Sequence, residues 1–154
     1  MLLTGSFVRA VDEKLRIAIP KRLREALGEE VPGALYIAPS TDGSLSLYTP
    51  RVFEEMASRC ADASPTATDV RAFRRLFFAR AQRLELDRQY RIRIPPELAE
   101  LANLQQEVVL LGVHDHLELW DRARWDSYLT EQAANYDQIA ETALGSANTK
   151  QSKE

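Results

Sequence analysis

The sequence predicts an α+β fold, mostly β-strand with short α-helices, built from two tandem copies of one small module. Three observations lead to this prediction. One block of sequence occurs twice, each copy contains a strand-like alternation of polar and apolar residues, and a proline ends each alternation, at Pro20 and Pro95. Proline cannot donate to a strand ladder but suits the first turn of a helix. Each block is therefore expected to change from strand to helix at its proline.

The repeat is visible without gaps. Asp12–Leu27 reads DEKLRIAIPKRLREAL and Asp87–Ala102 reads DRQYRIRIPPELAELA, with seven of sixteen positions identical. A second pair of segments is also similar, because Leu45–Tyr48 reads LSLY and Leu117–Trp120 reads LELW. The offset between the two copies is 75 residues in the first block and 72 residues in this one. Self-similarity of this kind indicates a tandem duplication, with one loop three residues shorter in the second copy.

Each copy predicts the same succession: two strands around a turn, a short helix, a hairpin and a longer helix. In the first copy the predicted strands are Ser6–Val11, Arg16–Ile19, Ala34–Ala38 and Ser44–Tyr48, with helices at Lys21–Leu27 and Pro50–Ala61. In the second copy they are Gln82–Leu86, Arg91–Ile94, Glu107–Gly112 and Leu117–Trp120, with helices at Pro96–Leu101 and Arg122–Ala134. Between the copies, Phe73, Leu76 and Phe77 form an apolar stripe at helical spacing, as in a core or a subunit interface.

The predicted organisation is module 1 at 5–50, a helical linker at 51–80, module 2 at 81–124, and a C-terminal helix with a disordered tail at 125–154. The tail is assigned from its polar composition. A module of about 45 residues buries little surface alone. We therefore expect the two copies to interlock in one barrel-like core around an approximate two-fold axis.

Charge is distributed unevenly along the chain, although the net charge is only −3. Local charges are +4 over Arg9–Arg24, +6 over Arg71–Arg93 and −5 over Gly112–Glu141. Such asymmetry can place a positive footprint on an acidic protein, although solvated helix faces would give the same pattern. The single cysteine, the lack of a membrane-length apolar run and the lack of a signal peptide favour a cytoplasmic location without membrane contact.

The doubled motif resembles the AbrB-like looped-hinge family, and its tandem form resembles the MraZ family in particular. The matching segments are Asp12–Pro20, Phe73–Phe77 and Leu86–Pro95, within a resemblance that covers roughly residues 1–130. The resemblance implies swapped-hairpin modules, a bacterial transcriptional regulator associated with the nucleoid, and a ring-like homo-oligomer. It also implies double-stranded DNA as the partner, at repeated promoter sites of the operon for cell division and cell-wall synthesis.

In that family the Asp-x-x-x-Arg turns face DNA, which implies a role here for Asp12 with Arg16 and Asp87 with Arg91. An arginine fork pairs with phosphate, or bidentately with guanine in the major groove. The alternative is a structural ion pair that only closes a β-turn, and the residues alone leave both interpretations open. Further candidate phosphate contacts are Lys14, Arg9, Arg88 and Arg93.

The chain departs from the family pattern in both turns. Leu15 and Tyr90 stand where the family usually has glycine before the arginine. Glycine suits a positive φ that strains a bulky residue. Either the turn is built differently, or a large side chain at its tip contacts DNA sugars or a partner protein.

Other functional classes find less support. His114-Asp115-His116 indicates a hairpin tip more than a metal site, because no further histidine or cysteine cluster completes a ligand shell. No glycine-rich phosphate loop is present, and we predict no enzyme, no cofactor and no small-molecule substrate. The main alternative is an oligomeric scaffold that keeps the fold and has lost DNA binding. An antitoxin-type repressor is a second alternative, to which the short tail after Tyr136 gives little support.

Overall fold

The computed structural model describes residues 1–28 and 33–151, with side chains to residue 145. In these ranges the chain has a mixed α/β composition of eight strands and six helices. The strands are β1 (Ser6–Ala10), β2 (Arg16–Ala18), β3 (Ala34–Pro39), β4 (Leu45–Tyr48), β5 (Gln82–Glu85), β6 (Arg91–Arg93), β7 (Glu107–Val113) and β8 (His116–Asp121). The helices are α1 (Lys21–Leu27), α2 (Pro50–Ala61), α3 (Thr68–Phe78), α4 (Pro96–Leu101), α5 (Arg122–Ala133) and α6 (Tyr136–Gln151).

Six strands form one antiparallel sheet in the order β1-β7-β8-β4-β3-β5, and the modules exchange their first strands within it. Strand β1 of module 1 pairs with β7 of module 2, and β5 of module 2 pairs with β3 of module 1. At the centre β4 pairs with β8, with Leu45 opposite Leu119 and Leu47 opposite Leu117. These pairs are equivalent under the sequence repeat, so an approximate two-fold axis passes between β4 and β8.

The remaining two strands, β2 and β6, pair with each other as a separate two-stranded ribbon. Ile17 lies opposite Ile92 at its middle, and both side chains are buried. Because period two places alternate residues on opposite faces, the isoleucines face inward and the residues on either side of them face outward. The ribbon contains one strand from each module, so neither module could build it alone.

One apolar core serves both modules. It gathers residues from the ribbon, the sheet and the two short helices, so each module depends on the other for burial. Its fully buried large side chains include Ile17, Leu23, Leu35, Ile37, Leu45, Leu47, Ile92, Ile94, Leu98, Leu110 and Leu117. The intertwined strands expected from the repeat are therefore present.

The predicted barrel-like closure is not seen in the strand pairing. The sheet is open, with β1 and β5 at its two edges, each paired on one side in the described residues. Closure requires the edge strands to pair with each other. Here the ribbon β2–β6 and helices α1 and α4 contribute to the core instead.

Helices occupy more of the chain than a mostly β fold implies. Helix α6 covers Tyr136–Gln151, where we expected a disordered tail from residue 145 or so, while residues 152–154 lie outside the described part. The segment reads YDQIAETALGSANTKQ. Its composition is polar on average, but its alanine, glutamate, leucine and glutamine residues have high helix propensity. No helix in the described part of the chain combines the length and apolarity needed to cross a bilayer.

The predicted linker at 51–80 packs onto module 1. Phe53 of α2 stacks on Tyr36 with ring centroids 4.4 Å apart, and Phe77 of α3 meets the Tyr48 ring edge-on. From the apolar stripe of α3, Phe77 is buried while Phe73 and Leu76 are about half exposed. The residues from Ala123 onward form a second compact unit, in which Trp125 stacks on Tyr128.

Candidate nucleic-acid interface

The turn between β1 and β2 is closed by the carboxylate of Asp12. Its Oδ1 accepts hydrogen bonds from the backbone N–H groups of Lys14 (2.9 Å) and Arg16 (2.8 Å). Its Oδ2 accepts a third bond from Nε of Arg16 at 2.7 Å. The backbone adds two bonds, Asp12 N–H to the Arg16 carbonyl and Leu15 N–H to the Asp12 carbonyl. The aspartate thus fixes both the turn and the plane of the guanidinium.

The turn between β5 and β6 repeats this geometry. Oδ1 of Asp87 accepts from the N–H groups of Gln89 (2.8 Å) and Arg91 (2.9 Å), and Oδ2 accepts from Nε of Arg91 at 2.8 Å. Each hydrogen bond to the aspartate side chain in the first turn therefore has an equivalent in the second. The structural and the DNA-contact interpretations of the Asp–Arg pair are compatible, because the bond that closes each turn also aims its arginine.

Both turns hold a large residue in the left-handed region, with φ of 59° at Leu15 and 58° at Tyr90. This conformation costs a residue with a Cβ about 1–2 kcal/mol. Bonds between the modules oppose that cost: Ile94 N–H donates to the Leu15 carbonyl at 2.8 Å, and Ile19 N–H donates to the Tyr90 carbonyl at 2.9 Å. The turn geometry that glycine would favour is thus present without glycine.

The same bonds lower the pKa of both aspartates. For Asp12 the largest cause is the hydrogen bond from the Arg16 backbone N–H, and the Arg16 side chain and the Lys14 N–H act in the same direction against desolvation. The pKa of Asp87 is lowered by the Arg91 backbone N–H first, then by its side chain and the Gln89 N–H. Both carboxylates therefore remain ionised at neutral pH, as an arginine-orienting role requires.

The outward face of the ribbon is basic. Arg16 lies opposite Arg93, and Ala18 lies opposite Arg91. Like charges directly across a strand pair destabilise each other, and a bound anion would relieve that repulsion. A two-stranded ribbon is also narrow enough to enter the major groove of B-DNA. The structure therefore brings together three of the predicted residues, Arg16, Arg91 and Arg93, on a surface of suitable width.

The other predicted basic residues lie in different places. Lys14 is exposed at the tip of the turn between β1 and β2 (turn 1), and Arg88 is exposed at the tip of the turn between β5 and β6 (turn 2). Arg9 is partly buried on β1 at the position that corresponds to the buried Leu84 in the repeat, and its Nη1 donates to the Val8 carbonyl. The role of Arg9 as a phosphate contact stays a prediction.

Arg24, on helix α1, is a residue that the sequence analysis did not single out. Its guanidinium carbon lies 3.8 Å from the centroid of the Tyr90 ring, which is a cation–π contact. The contact joins module 1 to the turn of module 2. The one available signal was Tyr90 itself, a large aromatic residue where glycine was expected, but nothing in the spacing pointed to Arg24.

His116, at the tip of the β7–β8 hairpin, lies within hydrogen-bonding distance of two carboxylates. Nδ1 of His116 lies 2.8 Å from Oδ1 of Asp115, and Nε2 lies 3.4 Å from Oε2 of Glu118. The pKa of His116 is raised, first by the hydrogen bond to Glu118 and then by that to Asp115, against desolvation. Its ring also stacks on Tyr48. The two carboxylates and the tyrosine account for this histidine without a metal ion.

These features define a class: a tandem-repeat protein with strands exchanged between its modules and an arginine-faced β-ribbon between two aspartate-closed turns. The comparison with known families makes the assignment specific. The family described as "MraZ protein, putative antitoxin-like" matches residues 2–76 and again residues 77–147. The chain belongs to the MraZ family of transcriptional regulators.

Individual members of the family are similar in sequence to this chain along most of their length. The chain is 39% identical to the transcriptional regulator MraZ of Moorella thermoacetica over 137 residues, which is 89% of this chain and 93% of the relative. It is 36% identical to that of Heliobacterium modesticaldum over 140 residues, covering 91% and 95%. It is 38% identical to that of Thermomicrobium roseum over 137 residues, covering 89% and 94%. The two family matches end at residues 76 and 147, which lie inside helices α3 and α6.

Proposed function

We propose that this chain regulates transcription by placing the ribbon β2–β6 and its two turns against double-stranded DNA, where Arg16 and Arg91 read bases. The observation that carries this proposal is the duplicated geometry of the Asp–Arg pair. In both turns Oδ2 of the aspartate takes the Nε–H of the arginine, at 2.7 Å and 2.8 Å. The Nη1–Nη2 edge of each fork is then the edge that a ligand can reach.

The chemistry fits base reading. A guanidinium held in one plane presents two parallel donors, which match the O6 and N7 acceptors of guanine. The side chains of Arg16 and Arg91 are 30% and 28% exposed, so each is held at Nε while part of the side chain remains accessible. Fixing the arginine before binding reduces the side-chain entropy lost on DNA. Asp12 and Asp87 are the positioning residues in this scheme.

Other basic side chains near Arg16 and Arg91 set the register of the protein on the DNA. Arg93 on the ribbon, Lys14 and Arg88 at the turn tips, and Arg9 on β1 contact phosphates in our proposal. Phosphate contacts fix orientation and supply most of the salt-dependent affinity without carrying sequence information.

The ribbon alone offers a small footprint, so we propose that the chain acts as a closed homo-oligomer, in ring form, on repeated promoter sites. Identical linked subunits raise the effective concentration of each ribbon at the next site. The half-exposed Phe73 and Leu76 provide apolar surface for such an assembly.

The proposal includes the remaining expectations from the sequence. The modules are swapped hairpins, and the target is the operon for cell division and cell-wall synthesis. The protein is a cytoplasmic, nucleoid-associated regulator with no catalytic activity, cofactor or small-molecule substrate.

The alternative is an oligomeric scaffold that has kept the fold and lost DNA binding. The net charge of −3 is the observation that favours it. The net negative charge lies after Gly112, however, whereas the ribbon and its turns carry more basic than acidic residues. The two functions differ in one outcome, which is sequence-selective retention of DNA.

Sequencing of genomic fragments retained by the purified protein tests the proposal. We expect enrichment of a small set of promoter fragments by the wild type and loss of that enrichment with the Arg16→Ala/Arg91→Ala double variant. Equal, unselective recovery by both proteins would contradict it and favour the scaffold. Light scattering provides the assembly control, because a protein that remains a 17.4 kDa monomer at micromolar concentration contradicts the ring.

A further inference from the structure

Turn 2 carries a feature that its repeat partner lacks. Tyr90 is 47% exposed, and the guanidinium carbon of Arg24 lies over its ring. Arg24 is held there by a hydrogen bond from its Nε to the Ile19 carbonyl at 3.2 Å. The Ile19 N–H in turn donates to the Tyr90 carbonyl. The three residues form a closed local arrangement that fixes the position of one guanidinium beside the residue that precedes Arg91.

The repeat shows that this arrangement is not part of the duplicated framework. The residue that corresponds to Arg24 is Ala99, which is 7% exposed, and the residue that corresponds to Tyr90 is Leu15, which is packed against the core. Turn 1 therefore has neither an aromatic platform nor a cation supplied by the other module. The arrangement also depends on the aromatic side chain of Tyr90, so it belongs to turn 2 and not to the repeat.

We propose that Arg24, supported on the ring of Tyr90, is an additional phosphate-binding residue that makes turn 2 the stronger of the two DNA-contacting ends. This inference rests on the proposed function and deepens it. The ligand is a backbone phosphate of double-stranded DNA, adjacent to the base that Arg91 reads.

The chemistry of the pair supports this role. The guanidinium carbon of Arg24 lies over the Tyr90 ring, and this cation–π contact holds the charged group at the surface of turn 2. Nε is already used by the Ile19 carbonyl, which leaves the Nη groups for phosphate oxygens. Tyr90 is thus the positioning residue and Arg24 is the phosphate contact.

The test is a titration of one labelled promoter fragment at several salt concentrations, with the full-length oligomer of each variant. We expect Arg24→Gln to lower the slope of log affinity against log salt by about 1 for each subunit bound to the fragment, because each such subunit loses one phosphate contact. Tyr90→Phe keeps the ring and should bind like the wild type, whereas Tyr90→Gly should reproduce the Arg24→Gln slope. Arg22→Ala is the matched control, because it removes an equal charge from the same helix.

The outcomes separate this inference from the proposed function. Wild-type protein without salt-dependent DNA binding overturns both. Loss of binding by Arg91→Ala together with a wild-type slope for Arg24→Gln overturns only the role of Arg24. An equal fall in slope for Arg22→Ala and Arg24→Gln also overturns it, because the effect would then belong to the charge of the helix. Light scattering shows whether the oligomer of each variant is intact, and thermal unfolding shows whether the variant is folded. A lowered salt slope in a folded variant of unchanged oligomeric state supports the inference.

Discussion

The two turns have the same framework and different surfaces. Each is closed by three hydrogen bonds to one aspartate, and each holds a left-handed residue before its arginine. Yet Asp12–Ala18 carries two acidic and two basic residues, whereas Asp87–Arg93 carries one acidic residue and three arginines. The residue before the arginine is packed against the core in turn 1 and about half exposed in turn 2.

This comparison separates what the fold requires from what a ligand requires. The aspartate bonds, the left-handed residue and the inward isoleucine recur because they build the ribbon. The tip residues and the outward strand positions differ because nothing in the core constrains them. An approximate two-fold fold can therefore carry two turns with unequal surfaces, and matched substitutions in the two modules test each part of that contrast.

The largest effect is expected in the shared framework. Ile17 and Ile92 face each other in the ribbon and are 1% and 0% exposed. We expect Ile17→Ala and Ile92→Ala each to lower the free energy of unfolding by about 2–5 kcal/mol, because each leaves a cavity in the same core. Denaturant titration of both variants measures this. A large cost for one variant and none for the other would contradict a single core shared by the modules.

A smaller and unequal effect is expected where the turns differ. Glycine at either left-handed position relieves about 1–2 kcal/mol of backbone strain. Tyr90→Gly loses in exchange a cation–π contact of about 0.5–1 kcal/mol, so its stability should stay within about 1 kcal/mol of the wild type. Leu15→Gly loses packing against the core, where a fully buried leucine is worth about 1.5–3 kcal/mol, and should be the less stable variant. Equal unfolding midpoints for the two variants would show that the turns are packed alike.

The smallest effect concerns pH and should be the same in both turns. The folded-state pKa of Asp12 and of Asp87 is lowered from 3.8, chiefly by the backbone N–H of the following arginine. Each ionised carboxylate therefore stabilises the fold above about pH 4, and this contribution is lost as pH falls through the lowered pKa. Asp12→Asn and Asp87→Asn should each unfold at a lower temperature than the wild type at pH 7. Unfolding scans at pH 7 and pH 3 check this, and a difference that does not shrink at pH 3 would count against it.

The element boundaries and the pairing of modules could be predicted from the sequence because local signals agreed with the fold. Pro20 and Pro95 end strands β2 and β6 within two residues, and helices α1, α2 and α4 begin and end at the predicted residues. Gly28 and Asn103, which follow short helices, both have positive φ. The family assignment also followed from the doubled motif.

The remaining features depend on contacts that no local pattern contains. The open sheet reflects which strands meet across the two modules, and periodicity specifies only which side of a strand is apolar. The Arg24–Tyr90 contact joins residues from different modules, 66 positions apart in the sequence. Helix α6 was missed because a polar composition was weighed above helix propensity. The left-handed Leu15 and Tyr90 are held by bonds from the opposite module, which the spacing could not show.

The central claim is that the aspartate-held arginines of both turns contact DNA. The direct measurement is a titration of a repeat-containing promoter fragment at several salt concentrations with wild type, Arg16→Ala and Arg91→Ala, at matched oligomeric state. Each substitution should cost about 1–3 kcal/mol per site, magnified by avidity around the oligomer, while assembly is unchanged. Equal affinities for all three proteins at every salt concentration would contradict the claim.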